Sequence, residues 1–110
     1  MKHFRIAFYL LPLFLLGMTG SAVAAEPVIV VIQKMKFQPQ EVTVKKGGMV
    51  RWENREYRQY HSVWFEKLGE PEPDYLFPGD SYERKFDTVG DFPYRCGPHP
   101  EMTGVVHVIN

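Results

Sequence analysis

The sequence predicts an all-β domain, a sandwich or barrel of about seven or eight short strands. From Glu26 onward, short runs rich in Val, Ile, Tyr, Phe and Trp alternate with clusters of Gly, Pro, Asn and Asp, a pattern typical of strands joined by tight turns. No stretch has the apolar spacing of a long amphipathic helix. A chain of 110 residues has room for a single core, so we expect one domain.

Seven segments have the composition and spacing of strands. In order, they are residues 28–33, 41–44, 49–54, 61–65, 81–86, 91–95 and 104–109. Alternation along the second segment places Val42 and Val44 on the same face. Residues 66–79 contain three prolines and no regular pattern, so we expect one irregular loop between the two sheets there. The aromatic residues expected to pack in the core are Trp52, Trp64 and Phe65.

The first 25 residues have the three-part pattern of a secretory signal. Lys2 and Arg5 precede an apolar run over residues 6–16, and the small residues that follow end in Ala22-Val23-Ala24-Ala25. The run is interrupted by Pro12 and is shorter than the roughly 20 apolar residues that cross a bilayer. We therefore expect export to the periplasm with cleavage near Ala24, and no stable membrane insertion.

The predicted cleavage divides the chain into a signal peptide at residues 1–24 and a domain at residues 25–110. Lys2 and Arg5 leave with the signal, so 11 basic side chains remain against 13 acidic ones, a formal charge of −2. A weakly acidic domain lacks the basic surface that binds phosphate backbones. We expect no nucleic-acid partner.

Cys96 is the only cysteine of the chain. Exported domains of this size that need covalent cross-links use cysteines in pairs, as disulfides. An unpaired cysteine is then a buried inert thiol, one half of an intermolecular disulfide, or a metal ligand that its metal protects. The count alone leaves these three explanations open.

Three donors of the kind that copper prefers lie within seven residues. Cys96, His99 and Met102 have the spacing C-x2-H-x2-M, in a loop that precedes the last predicted strand. Two His and one Cys in a trigonal set, with a long axial Met, are the arrangement of electron-transfer copper sites. The motif therefore predicts a copper site that needs one further histidine.

His61 is the predicted source of that second imidazole. It opens a predicted strand after a polar turn, whereas His3 leaves with the signal and His107 lies on the terminal strand. Each donor alone has an ordinary explanation, as a core methionine or a surface histidine. Together with the unpaired Cys96 they favour one copper ion that cycles between Cu(I) and Cu(II).

Two other kinds of site are disfavoured. A structural zinc site is disfavoured because Met is a poor zinc ligand. A Cys-His hydrolase is disfavoured because its exported thiolate would oxidise.

Five short motifs resemble the plastocyanin and azurin family of cupredoxins over nearly the whole mature chain. They are Phe37-x-Pro39, Val44-Lys45-Lys46-Gly47, Val50-x-Trp52-x-Asn54, His61-Ser62-Val63 and Tyr94-x-Cys96-x-x-His99-x-x-Met102. Within the family, the short ligand loop with Pro98-His99-Pro100 is most similar to that of the amicyanins. The resemblance implies a Greek-key β-sandwich and a type 1 copper protein that shuttles single electrons and is not an enzyme.

The resemblance also implies where partners bind. His99, flanked by Pro98 and Pro100, is expected to be the electron port of a monomer, with redox proteins docking around these three residues. Many relatives carry Asn directly after the first ligand His, where its side chain ties that strand to the cysteine loop. Here the residue is Ser62, whose hydroxyl can make this connection more weakly.

Two alternatives stay open at this point. The ligand set also suits an exported copper-handling or copper-tolerance protein that binds or buffers copper. Dedicated copper scavengers tend to carry extra Met- and His-rich segments, whereas this domain has three methionines, which favours electron transfer. Glu53 and Glu56, close before His61, leave room for a copper site with a carboxylate ligand.

Overall fold

A computed structural model describes residues 26–110, so the predicted signal at residues 1–24 lies outside the described residues. Seven strands and one short 3-10 helix form the regular structure of this part. The strands are β1 (Val28–Gln33), β2 (Lys36–Gln38), β3 (Glu41–Lys45), β4 (Gly48–Asn54), β5 (Ser81–Phe86), β6 (Gly90–Arg95) and β7 (Thr103–Ile109), and the 3-10 helix is Glu66–Leu68. Over residues 26–110, none of the helical structure has the length and apolar character needed to cross a bilayer.

The strands form two sheets that enclose one core. One sheet has the order β2-β1-β4-β5 and the other the order β3-β7-β6. β1 pairs with β4 in parallel, with Val30 beside Trp52, and β3 pairs with β7 in parallel, with Val42 beside Val106. The other pairs are antiparallel. The predicted all-β sandwich of seven or eight strands, with its Greek-key connections, is confirmed.

The core follows the alternation of the strands. Val30 and Val106, from opposite sheets, have no exposed surface. Trp52 is also fully buried and packs edge-on against Phe65 and Tyr94, with ring centroids 6.1 and 5.4 Å away. The two predictions that Trp52 and Phe65 belong to the core are therefore confirmed.

Trp64 is only half buried, and its predicted place in the core is wrong. Its neighbours Val63 and Phe65 face the core, so the side chain between them points the other way. The indole N–H donates to the carbonyl of Glu70 at 2.8 Å, and the Arg95 guanidinium lies 4.5 Å from the ring centroid. Trp64 thus covers the outer side of Arg95, the last residue of β6 before the ligand loop.

Residues 61–65 do not form a strand, contrary to the prediction. His61 makes an isolated bridge with Leu76, and Trp64 makes another with Arg95 on β6. Since the two residues pair with different parts of the chain, no continuous ladder develops. The irregular loop expected at residues 66–79 is present, with the 3-10 helix at its start, and it connects this segment to β5.

β2 is an element that the sequence does not predict. It has three residues and pairs with β1 across a two-residue turn made by Lys34 and Met35. Both turn residues have left-handed φ angles, 56° and 59°, which hairpins usually obtain from Asn-Gly and which cost other residues about 1–2 kcal/mol each. Lys and Met carry no turn signal, so composition alone misses this hairpin.

Candidate metal centre

His61 is placed by the irregular loop that crosses between the sheets. Its backbone N–H donates to the Leu76 carbonyl at 3.0 Å, and the Leu76 N–H donates back at 2.6 Å. The buried amide of Asn54, at the end of β4, donates to the carbonyls of Gln59 and Leu76 at 3.0 and 2.8 Å. These bonds turn the His61 ring into the protein, where it is fully buried.

The other predicted donors lie on the tight loop between β6 and β7. The N–H of Cys96 donates to the Met102 carbonyl, and the N–H of Met102 donates to the His99 carbonyl, both at 2.9 Å. Cys96 and Met102 are buried, and His99 is half buried. Two backbone bonds therefore bring the three donor residues of this loop together.

The thiol of Cys96 lies between two imidazoles. Its Sγ is 3.6 Å from Nδ1 of His61 and 3.5 Å from Nδ1 of His99. The three donor atoms all lie within 4.8 Å of one another. The structure thus brings together His61, Cys96 and His99, as predicted, and places Met102 in the same closed loop.

The protonation states suit a soft metal ion. Burial raises the pKa of the Cys96 thiol above its ordinary value, although the Ser62 N–H opposes the shift. Burial lowers the pKa of His61 below its ordinary value, although the Glu56 carboxylate opposes that shift. A buried thiol that releases its proton when a metal cation binds, beside an uncharged imidazole, fits a thiophilic metal. Sulfur and imidazole donors together fit copper.

Ser62 ties the two ligand segments together. Its backbone N–H points at Sγ of Cys96 at 3.4 Å, and its hydroxyl accepts the N–H of Gly97 at 2.8 Å. A side chain at Gly97 would meet both this hydroxyl and the carboxylate of Glu72, so a glycine fits the close approach. The serine therefore makes the connection for which many relatives use Asn.

Glu56 has a role that sequence reasoning missed. Its Oε2 lies 2.8 Å from Nε2 of His61, the ring nitrogen that does not face Cys96. Burial alone would raise the pKa of Glu56, but the Met35 N–H and His61 outweigh it, so the pKa lies below its ordinary value. Glu53 binds Arg51 and Arg55 instead. Neither carboxylate belongs to the donor cluster. In the sequence, the only sign of a contact between Glu56 and His61 is that they lie five positions apart.

Uncharged aromatic rings are exposed beside His99. Tyr60 stacks on Tyr75 with centroids 5.0 Å apart and lies 5.7 Å from the ring of Phe77 and 6.4 Å from that of His99. The exposed fractions are 40% for Tyr60, 40% for Tyr75 and 54% for Phe77. His61 and Leu76 form the bridge, and Tyr60, Tyr75 and Phe77, each next to one of these two residues, are exposed. We call Tyr60, Tyr75 and Phe77 the aromatic patch.

Comparison with known proteins gives consistent matches. The family described as "Copper binding proteins, plastocyanin/azurin family" matches residues 26–109. Amicyanin of Paracoccus versutus is 34% identical over 128 residues, covering 97% of this chain and 96% of that protein. Amicyanin-alpha of Methylorubrum extorquens is 41% identical over 81 residues, covering 70% and 67%. The crystal structure of amicyanin from Paracoccus versutus has a TM-score of 0.68 at 33% identity, covering 78% of this chain and 84% of that one.

The fold, the donor cluster and the relatives agree with one another. They confirm the predicted resemblance to cupredoxins of the amicyanin type, the single copper ion as cofactor, and a function in electron transport without enzymatic activity. The match extends over nearly all of the described residues. The chain therefore belongs to the plastocyanin/azurin family of copper-binding proteins.

Proposed function

We propose that the chain carries single electrons between redox proteins on a copper ion that His61, Cys96 and His99 would hold, with Met102 as a fourth, weaker ligand. The observation that carries this proposal is the approach of one thiol and two imidazole nitrogens to within 4.8 Å of one another. When bound, copper supplies one-electron exchange between Cu(I) and Cu(II). The sandwich and the Ser62 bonds hold the donors in one arrangement, which keeps the rearrangement during electron transfer small.

The docking surface in this proposal surrounds His99. Pro98 and Pro100 flank it in the ligand loop, and the aromatic patch extends the apolar surface on the side of Tyr60. The exposed aromatic side chains and Pro100, with the carboxylate of Glu72 beside Tyr75, favour a partner that presents a mainly apolar surface around its own redox centre. Such a contact brings the His99 ring close to the partner without a stable complex.

A charged substitution in the aromatic patch tests the docking surface. Phe77→Glu is expected to slow electron self-exchange between reduced and oxidised protein, measured by NMR line broadening, because a carboxylate must be desolvated in the contact. Val89→Glu is the matched control, since Val89 is 47% exposed and lies in the β5–β6 turn, at the opposite end of the sandwich. Equal self-exchange rates in both variants and in the wild type would refute this surface.

We also propose that the protein is a periplasmic monomer released by cleavage after residue 24. The basic start, the short apolar run and the Ala22-Val23-Ala24-Ala25 segment support export. Mass spectrometry of the exported protein measures the cleavage site, and sedimentation measures the oligomeric state. A retained N-terminus or a stable dimer would contradict these two points.

Copper reconstitution tests the ligand assignment. The mature protein is expected to take up one copper ion and show an intense visible band from thiolate-to-copper charge transfer, and Cys96→Ala is expected to lose that band. His107→Ala is the matched control, because that imidazole lies between the carboxylates of Asp91 and Glu41, on β6 and β3. A band that survives in Cys96→Ala, or one that disappears in His107→Ala, would overturn the assignment.

A further inference from the structure

The carboxylate of Glu56 lies, partly buried, at the centre of a small hydrogen-bond network. Only 10% of its side chain is exposed. Its oxygens accept the backbone N–H groups of Met35 at 2.8 Å and Lys34 at 3.2 Å, and its own backbone N–H donates to Oδ1 of Asn54 at 2.9 Å. The remaining contact of the carboxylate is Nε2 of His61 at 2.8 Å.

This contact determines which nitrogen of His61 carries the proton. Both oxygens of Glu56 already accept backbone N–H groups, so in the contact with His61 the donor is Nε2. Nδ1, which lies 3.6 Å from Sγ of Cys96, then keeps its lone pair and faces the donor cluster. A carboxylate bound to the far nitrogen of a ligand histidine also fixes the orientation of the ring.

The carboxylate is itself held by a strained turn. Lys34 and Met35 adopt two consecutive left-handed conformations, with φ of 56° and 59°, and this geometry directs both of their N–H groups to Glu56. Residues with side chains keep such angles only where the surroundings stabilise them, and these sites concentrate near functional centres. The β1–β2 turn is therefore connected through one carboxylate to the metal centre.

We propose that Glu56 is a positioning residue of the copper centre, which holds His61 as the Nε2–H tautomer with its ring oriented for the metal, and that the Lys34 and Met35 turn holds Glu56 in place. This inference rests on the proposed assignment of His61 as a ligand. An anion bound to a ligand imidazole stabilises the more positive oxidised ion. Glu56 therefore lowers the reduction potential of the centre.

The tautomer of His61 is a test that does not depend on copper. Long-range nitrogen–proton NMR of the mature wild-type protein, metal-free and with Cu(I), is expected to show a slowly exchanging proton on Nε2 of His61 in both forms. A proton on Nδ1 of the metal-free protein would overturn the proposal. Because this measurement needs no metal, it stays informative even if the copper assignment itself fails.

Glu56→Gln tests the effect on the copper centre. The amide keeps nearly the same shape and an oxygen for the Nε2 proton, but it removes the charge, so the reduction potential is expected to rise and the visible band to shift. Glu53→Gln is the matched control, since it removes the same charge from a carboxylate that binds Arg51 and Arg55 instead of His61. Equal potentials in Glu56→Gln and wild type, or an equal rise in Glu53→Gln, would overturn the positioning role.

Discussion

Single residues decide the chemistry of the donor cluster. Cys96 is buried between two imidazoles, and its raised pKa keeps the proton on sulfur until a cation replaces it. Ser62 contributes a backbone N–H to the sulfur and a hydroxyl to the neighbouring peptide of Gly97. One small side chain thus links the segment of His61 to the loop of Cys96.

Ser62→Ala is expected to destabilise the protein by about 1–2 kcal/mol, because the N–H of Gly97 would lose its acceptor in a largely buried place. Chemical denaturation of the metal-free protein measures this loss without any contribution from copper. Ser81→Ala is the matched control, since Ser81 is exposed at the start of β5 and such changes stay within about 0.5 kcal/mol. A Ser62→Ala variant as stable as this control would show that the hydrogen bond between Ser62 and Gly97 does not stabilise the fold.

At the scale of elements, β7 is joined to both of its neighbours by one histidine. Each ring nitrogen of His107 contacts a carboxylate. Nδ1 lies 2.6 Å from Oδ1 of Asp91 on β6, and Nε2 lies 2.8 Å from Oε1 of Glu41 on β3. The hydrogen bond with Asp91, followed by that with Glu41, raises the pKa of His107 above its ordinary value. This three-residue contact spans the outer face of the smaller sheet.

The raised pKa predicts the pH dependence of this contact. Because the folded pKa exceeds the unfolded value of about 6.5, protonated His107 stabilises the fold fully below that pH, and the contribution is lost as the pH rises through the folded pKa. The difference in free energy of unfolding between wild type and His107→Gln is expected to be larger at about pH 6 than at about pH 9. Urea denaturation at both values measures it, and a difference that grows with pH would contradict the prediction.

The whole molecule is held together by aromatic packing between the sheets. Trp52 from β4 contacts Phe65 and Tyr94 edge-on and stacks on Tyr82 of β5 at 5.7 Å. Tyr94 belongs to β6 of the other sheet and lies two residues before Cys96. The packing of the core therefore extends to the base of the ligand loop.

Trp52→Ala is expected to cost about 3–5 kcal/mol, since the indole is fully buried and the two sheets cannot close over the cavity. Thermal and chemical unfolding of the metal-free protein measure the change. Tyr57→Ala serves as the comparison, because Tyr57 is 85% exposed and its loss should stay within about 0.5 kcal/mol. Similar losses in the two variants would show that the core does not depend on Trp52.

How far the sequence predicts each feature depends on how local its cause is. The period-two alternation at Val42 and Val44 is expressed within one strand, and both side chains are buried as expected. Alternation also appears at residues 63–65, where Val63 and Phe65 face inward and Trp64 outward, but this segment has no neighbouring strand along its length. The alternation of apolar and polar residues therefore predicts which side chains face the core more reliably than it predicts which residues pair with a neighbouring strand.

The sequence by itself determined the sandwich, the compact motif of Cys96, His99 and Met102, and the membership of the copper-binding family, because each is expressed by short motifs whose own residues lie close together, repeated along the chain. Only the tertiary structure decided the environment of the site. The bond between Ser62 and Gly97 joins residues 35 positions apart, and that between Met35 and Glu56 joins residues 21 apart. Contacts of this kind arise from how the strands and loops are arranged in space, and a local sequence pattern does not predict that arrangement.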